Sequence, residues 1–403
     1  MTNMQNVKSS ASKTLNELIS EAKKIFKKNF DSLKNIQISS SPASVMILGD
    51  HTHYNDGIIL LTTINSYAIA VASLNDNDQT NLVVESPDFS TSQNSDNENE
   101  LVIKCGNLYL GNLLFLLKKK GYIKSGFNLV LYSNIPQSVG MGFVAANQFA
   151  FVNTITKLFE LNFTPEMISD LCIEAEKSYL GKMTNPAHYF AIMNGTINSL
   201  IKVDLRYMTF ELFNVLLKDY NVVVFDNSIE IPNPREICNE RINECSTGVK
   251  ALRLYIWGIK NLRDVSIEFL ARHTHVIPNI IYKRILYTVK EKIRVETGIE
   301  FIKNNYFPGL AKLMFESHKE LREDYEIGNT RHDEIVSLLL KQDGVLGAKI
   351  ISCSNIESVI CFIKKRNVNK ISQKVVEDYK ELHGHKLNFW VFNSTDGTNF
   401  YNN

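Results

Sequence analysis

Six side chains able to exchange protons or make directional hydrogen bonds fall within seven consecutive residues: Asp50, His51, His53, Tyr54, Asn55 and Asp56. Imidazole, carboxylate, phenol and amide groups gathered on so short a span suit polar ligand binding. Apolar runs over residues 45–48 and 58–64 flank the cluster. Short apolar runs bounded by Gly, Asn and Asp predict buried strands joined by a turn. A loop held by a sheet is a common place for ligand contacts. The same composition also suits a solvated hairpin loop.

The surrounding chain has 403 residues, 44% hydrophobic and 22% charged, with a net charge of +1. That length predicts two or three domains or one two-lobed molecule. Near-neutral charge gives no electrostatic reason to expect nucleic acid or an acidic membrane as partner. No apolar run reaches the roughly 18–20 residues of a membrane span. The first residues lack an apolar signal core, and six cysteines without a paired spacing suit reduced thiols, so a cytoplasmic protein is expected.

Helical spacing of Leu15, Leu18, Ile19, Ala22, Ile25 and Phe26 predicts an amphipathic helix over residues 14–30. Residues 88–100 are polar and predict a mobile loop. Helical periodicity resumes over residues 101–120. A strand is expected at residues 128–133, a turn with Pro136, Gly140 and Gly142, and a helix over residues 145–161. Strand, glycine loop and helix N-terminus form a possible phosphate cradle, although many strand-to-helix turns need glycine without binding anything.

Gly49-Asp50-His51-Thr52-His53-Tyr54-Asn55-Asp56-Gly57 resembles the galactokinase signature Gly-Glu-His-Thr-Asp-Tyr-Asn-Gly-Gly. The resemblance continues in order. The stretch from Pro136 to Ala145 sits at the second motif of the GHMP small-molecule kinases. Ala175-Glu176 and Tyr179-Leu180-Gly181 are similar to Ala-Glu-His and Phe-x-Gly, and Asp204-Leu205-Arg206 to Asp-Cys-Arg. Residues 313–325 match well, and Gly344 to Lys349 begins the third motif. The resemblance implies the two-lobed α+β galactokinase fold, with a mixed-sheet lobe over residues 1–220 and a lobe of antiparallel sheet and helices over residues 221–403.

It also implies roles, and there the chain departs. The family's catalytic arginine falls at Ser44 and its catalytic aspartate at His188. Losing a positioned acid or base typically costs about 10²–10⁴ in rate. The magnesium serine falls within Gly142-Phe143-Val144, which has no hydroxyl, and the third glycine motif reads Ile351-Ser352-Cys353-Ser354. The family's aspartate that holds two ring hydroxyls falls at His53, and its sugar-contacting tyrosine at Cys238. These departures predict a pseudokinase that binds a sugar-like or other polar small molecule, or a protein partner, without phosphoryl transfer. ATP and magnesium are then not expected, and no metal is assigned.

The expected ligand residues are Asp50, His51, His53, Tyr54, Asn55, His188 and Cys238, and of these Asp50, His51, His53, His188 and Cys238 are expected to converge on one pocket with Ser44 at its floor. The expected remnants of the nucleotide loops are Pro136, Gly140, Gly142, Phe143, Ser352 and Ser354. Two alternatives stand beside the pseudokinase. One is a divergent active sugar kinase with His188 as base. The other is a non-kinase enzyme using the His/Cys/Asp pocket.

Overall fold

The computed structural model describes residues 13–31, 33–76, 79–87, 89–95, 108–215, 217–352 and 357–398. A first sheet contains β1 (Gln37–Leu48), β2 (Ile58–Leu74), β3 (Thr80–Ser86), β4 (Phe89–Ser95), β5 (Phe127–Ser133), β6 (Ser199–Asp204) and β7 (Thr209–Asn214). Their order is β4-β3-β5-β2-β6-β7, with β1 also paired to β2. The sheet is mixed, because β3 and β5 run parallel while the remaining pairs are antiparallel. A second sheet, antiparallel throughout, contains β8 (Tyr220–Asp226), β9 (Val345–Ile351), β10 (Ser358–Lys364) and β11 (Asn388–Phe392) in the order β11-β8-β10-β9.

The helices are α1 (Leu15–Phe30), α2 (Leu108–Lys119), α3 (Phe143–Leu158), α4 (Pro165–Leu180), α5 (Ala187–Asn194) and α6 (Pro234–Leu252). After these come α7 (Ile267–Arg272), α8 (Asn279–Lys303), α9 (Phe307–Glu323), α10 (Thr330–Leu340) and α11 (Val368–His383).

Local chemistry explains the first sheet. Thr14 and Glu17 close a capping box that starts α1, and Asp31 ends it in the left-handed conformation. The buried stripe of α1, Leu18, Ala22 and Phe26, packs against Ile69, Val71 and Val130. The alternate residues Ala68, Ala70 and Ala72 face the other way, toward Phe149 and Ala150 of α3. With both faces covered, β2 shows a nearly continuous buried run instead of alternation. The small alanines admit α3 close to the sheet.

One apolar cluster takes Val45 and Ile47 from β1, Phe149 from α3, and Val222, Val224 and Ile360 from the second sheet. The two sheets therefore share a core. The mobile loop expected at residues 88–100 is corrected in part: residues 89–95 form β4, an edge strand paired along β3. Its polar sequence gave no strand signal, and the ladder with β3 pairs one edge of its backbone. Residues 88 and 96–100, like Ser354, lie outside the described residues.

Candidate active site

The loop joining β1 to β2 is fixed from below. Gly49, at φ +102°, donates its backbone N–H to Glu291 Oε1 over 2.7 Å, and Thr52 Oγ1 donates to the Gly49 carbonyl over 2.7 Å. The Tyr287 hydroxyl donates to the Asp50 carbonyl over 3.1 Å. His51 and Asp56 both adopt left-handed backbone, which costs about 1–2 kcal/mol each away from glycine. The surrounding contacts hold that strain in place.

These contacts turn the loop's polar residues in different directions. His53 and Tyr54 line a cavity of about 400 Å³, and His188 and Cys238 join them there. Asp50 does not. Its carboxylate forms a fully buried ion pair with Lys349 of β9. Burial pushes the Asp50 carboxyl up in pKa against the opposing pull of the Lys349 ammonium. His51 is also turned inward, its Nε2 lying 2.7 Å from Ser352 Oγ and its Nδ1 3.1 Å from the Tyr54 hydroxyl. Asn55 is buried beneath the loop and does not line the cavity. The expectation that Asp50 and His51 line one pocket with His53, His188 and Cys238 is therefore corrected, because contacts with Lys349 and Ser352 turn them away from this cavity, and Asn55 also lies outside its lining.

Ser44 is fully buried and does not line the cavity, yet its Oγ lies 2.8 Å from His188 Nδ1. His188 stands on the first turn of α5. Desolvation lowers its pKa to about 4 and that of His53 to about 3, with His188 adding a smaller repulsion to the latter. Both imidazoles are thus neutral at physiological pH. His53 Nδ1 is buried without a hydrogen-bond partner. A buried polar atom left unpaired costs about 1–3 kcal/mol, which a ligand could recover.

The start of α3 forms the wall next to His188. Gly140 and Gly142 have φ of +76° and +62°, and Ser138 also has positive φ. Gly142 caps α3 without a side-chain hydrogen bond, and residues 137–145, apart from Val139, line the cavity. Amides at a helix N-terminus together with its dipole favour an anion. Phe143 does not collapse the cleft. Its ring packs edge-on against Tyr109, with centroids 6.2 Å apart, and both rings line the cavity. Pro136 leads into this loop without lining the cavity. In the third loop Ser352 reaches the cavity and Ile351 packs beside Gly140.

A methyl group added at Gly142 would meet His188 Nδ1 and Ser44 Oγ, each at 2.9 Å, from a backbone that disfavours side chains. We expect Gly142→Ala to shift the His188 ring and to lower both stability and any turnover, the former by about 1–2 kcal/mol. Urea denaturation of the variant checks this. An unchanged midpoint would show the loop to be looser than described.

Several lining residues were not singled out as ligand contacts from the sequence: Glu176, Tyr179, Met183, Asn185 and Arg235. Glu176 is buried, accepts from the Tyr189 hydroxyl over 2.6 Å, and has its pKa raised by burial to about 7. Its place in an Ala-Glu motif was a signal. Arg235 follows a proline at a helix start and gives none. Among the described residues, no group of three or more His, Cys, Asp and Glu side chains is arranged for a metal ion.

Comparison with known proteins supplies the context. Residues 24–74 match the galactose-binding signature of galactokinases, and residues 107–195 match the N-terminal domain of GHMP kinases. A galactokinase of Thermotoga petrophila is 28% identical over 363 residues, covering 89% of this chain and 98% of the relative. A Clostridium acetobutylicum galactokinase is 26% identical over 397 residues, covering 95% and 98%. The crystal structure of Lactococcus lactis galactokinase complexed with galactose superposes with a TM-score of 0.82 at 23% identity, covering 95% of this chain and 99% of that one. Methanococcus jannaschii mevalonate kinase superposes with a TM-score of 0.64 at 14% identity, covering 91% and 100%. Full-length similarity to proteins named as galactokinases overturns the expectation of a pseudokinase, and a divergent sugar kinase fits these relatives better. Among the described residues no helix is long and apolar enough to cross a membrane. The matched signature, the relatives and the shared architecture together make this chain a member of the galactokinase family of GHMP small-molecule kinases.

Proposed function

We propose that the chain is a divergent sugar kinase, with a nucleoside triphosphate as phosphoryl donor and His188 as the base that receives the acceptor hydroxyl's proton. The observation carrying this reading is the contact of buried Ser44 with His188, which lines a cavity that also holds the α3 N-terminus. With Nδ1–H donating to Ser44 Oγ, Nε2 is bare and can accept a proton. A pKa of about 4 gives His188 the basicity of an ordinary carboxylate, the group it replaces in the family pattern. As the proton passes to Nε2, the sugar oxygen bonds to phosphorus and the bond to the leaving diphosphate breaks.

The remaining residues have supporting roles. His53 lines the cavity and brings a neutral imidazole to it that suits a sugar hydroxyl. Amides at the start of α3 suit the phosphate oxygens. Magnesium is usually held by one or two carboxylates plus substrate phosphates, and Glu176 is the carboxylate lining this cavity, so the residues fit a metal that arrives with the nucleotide. When bound, such an ion neutralises developing phosphate charge.

The test is release of ADP from magnesium-ATP in the presence of a panel of hexoses that includes galactose, with a melting scan alongside. We expect sugar-dependent turnover with at least one hexose. Nucleotide at 100 times its dissociation constant should stabilise the fold by about 2.7 kcal/mol. ADP release no faster with any sugar than without would sink the reading.

A further inference from the structure

Phosphoryl transfer spreads negative charge over the equatorial oxygens, and catalysis depends mostly on positioning and on charge placed opposite them. The cavity's charge inventory is therefore decisive. The family's arginine position is Ser44, which is neutral and fully buried. Lys349 is consumed by Asp50 behind the wall. His53 and His188 are uncharged at physiological pH. Among the described residues that line the cavity, Arg235 is the sole arginine or lysine.

Its placement suits a charge that must hold still. Asn233 and Pro234 open α6, and Arg235 stands on that first turn. Its guanidinium lies over the Tyr179 ring, 4.1 Å from the centroid. Tyr179 belongs to the same helix as Glu176, and both line the cavity. Stacking on an aromatic face restricts the guanidinium plane while leaving its N–H fork available. Among the described residues lining the cavity, Glu176 is the sole acid and Arg235 the sole strong cation, and they reach it from α4 and α6.

We infer that Arg235 supplies, from the second half of the chain, the positive charge that a transferring phosphoryl group requires in this cavity. The inference rests on the sugar-kinase reading and deepens it. The fork of Arg235 donates hydrogen bonds to the phosphoryl oxygens as the bond to the leaving diphosphate opens, and it takes no proton.

Arg235→Ala is the test, because the side chain is exposed and its loss should leave the melting temperature nearly unchanged. Turnover should fall by about 10²–10³, with the KM for ATP held within about threefold. Arg235→Lys should restore only part of the loss, because an ammonium lacks the planar fork. A second readout uses magnesium, ADP and aluminium fluoride, which mimic the transferring group. Aluminium fluoride should raise the wild-type melting temperature beyond ADP alone, and Arg235→Ala should lose that increment while keeping the ADP shift. An active wild type with an equally active Arg235→Ala overturns the assignment and leaves the kinase reading standing. A wild type with neither turnover nor the fluoride increment overturns both.

Discussion

Replacing His188 with alanine is expected to reduce sugar phosphorylation by about 10²–10⁴ in kcat, the usual cost of a lost general base. The substitution also leaves Ser44 Oγ without its contact at 2.8 Å, so a second variant is needed to separate chemistry from packing. His188→Gln keeps a polar group of similar reach beside Ser44 but has no basic nitrogen. Both variants should be comparably inactive, and His188→Gln should melt closer to the parent protein. In the parent, kcat/KM should fall as pH drops toward about 4, where His188 becomes protonated in the free enzyme. A kcat within about threefold of the parent for either variant would show that the base lies elsewhere.

Unfolding should become markedly easier on mild acidification. Four histidines are buried with depressed pKa: His53 to about 3, His188 and His332 to about 4, and His51 well below the ordinary value, each chiefly through desolvation. Between about pH 4 and 6.5 the unfolded chain protonates these groups while the folded chain does not, so stability falls as pH falls. Glu176 and Glu357 act oppositely. Burial raises both to about 7, so they are protonated in the fold and release protons on unfolding between about pH 4.5 and 7. Asp50, also raised by burial, acts in the same sense as the two glutamates, so four uptakes against two or three releases leave a net gain of about one to two protons on unfolding near pH 5.5, a slope of about 1–3 kcal/mol per pH unit. Maximum stability then lies near neutrality. Urea midpoints at about pH 5.5, 6.5 and 7.5 measure this, and a midpoint that is flat or highest at the acid end would contradict it.

The fold was largely legible because its signals are local. Helical spacing in α1, the apolar runs of β1 and β2, and the ordered motifs each point to one architecture. The edge strand β4 was not legible, because its stabilisation comes from pairing with β3 and its side chains carry no pattern. The site divides along the same line. His53, His188 and Cys238 reach the cavity as the motif order implied. Asp50 and His51 do not, because their direction is set by Lys349 and Ser352, each some three hundred residues away in sequence. A lysine inside the apolar strand Val345–Ile351 was a visible sign of a buried acidic partner, but no pattern says which acid it meets. The motif substitutions were read position by position, whereas the cavity gathers polar side chains from α4, α5 and α6.

The pairing of Asp50 with Lys349 also constrains how this chain can vary across generations. Each residue is fully buried, and the partners lie 299 positions apart, one in the loop that carries His53 and one in the second sheet. Losing either partner alone strands the other charge in the interior, at a cost of about 3–5 kcal/mol, a large share of a typical protein's stability. Replacing both at once with well-packed apolar residues is often neutral or favourable. Single-nucleotide drift therefore meets a barrier here that a double change avoids, and descendants of this chain should keep both residues or neither. The loop bearing the histidines and the strand beneath it are inherited as one unit, even though the gene encodes them at opposite ends.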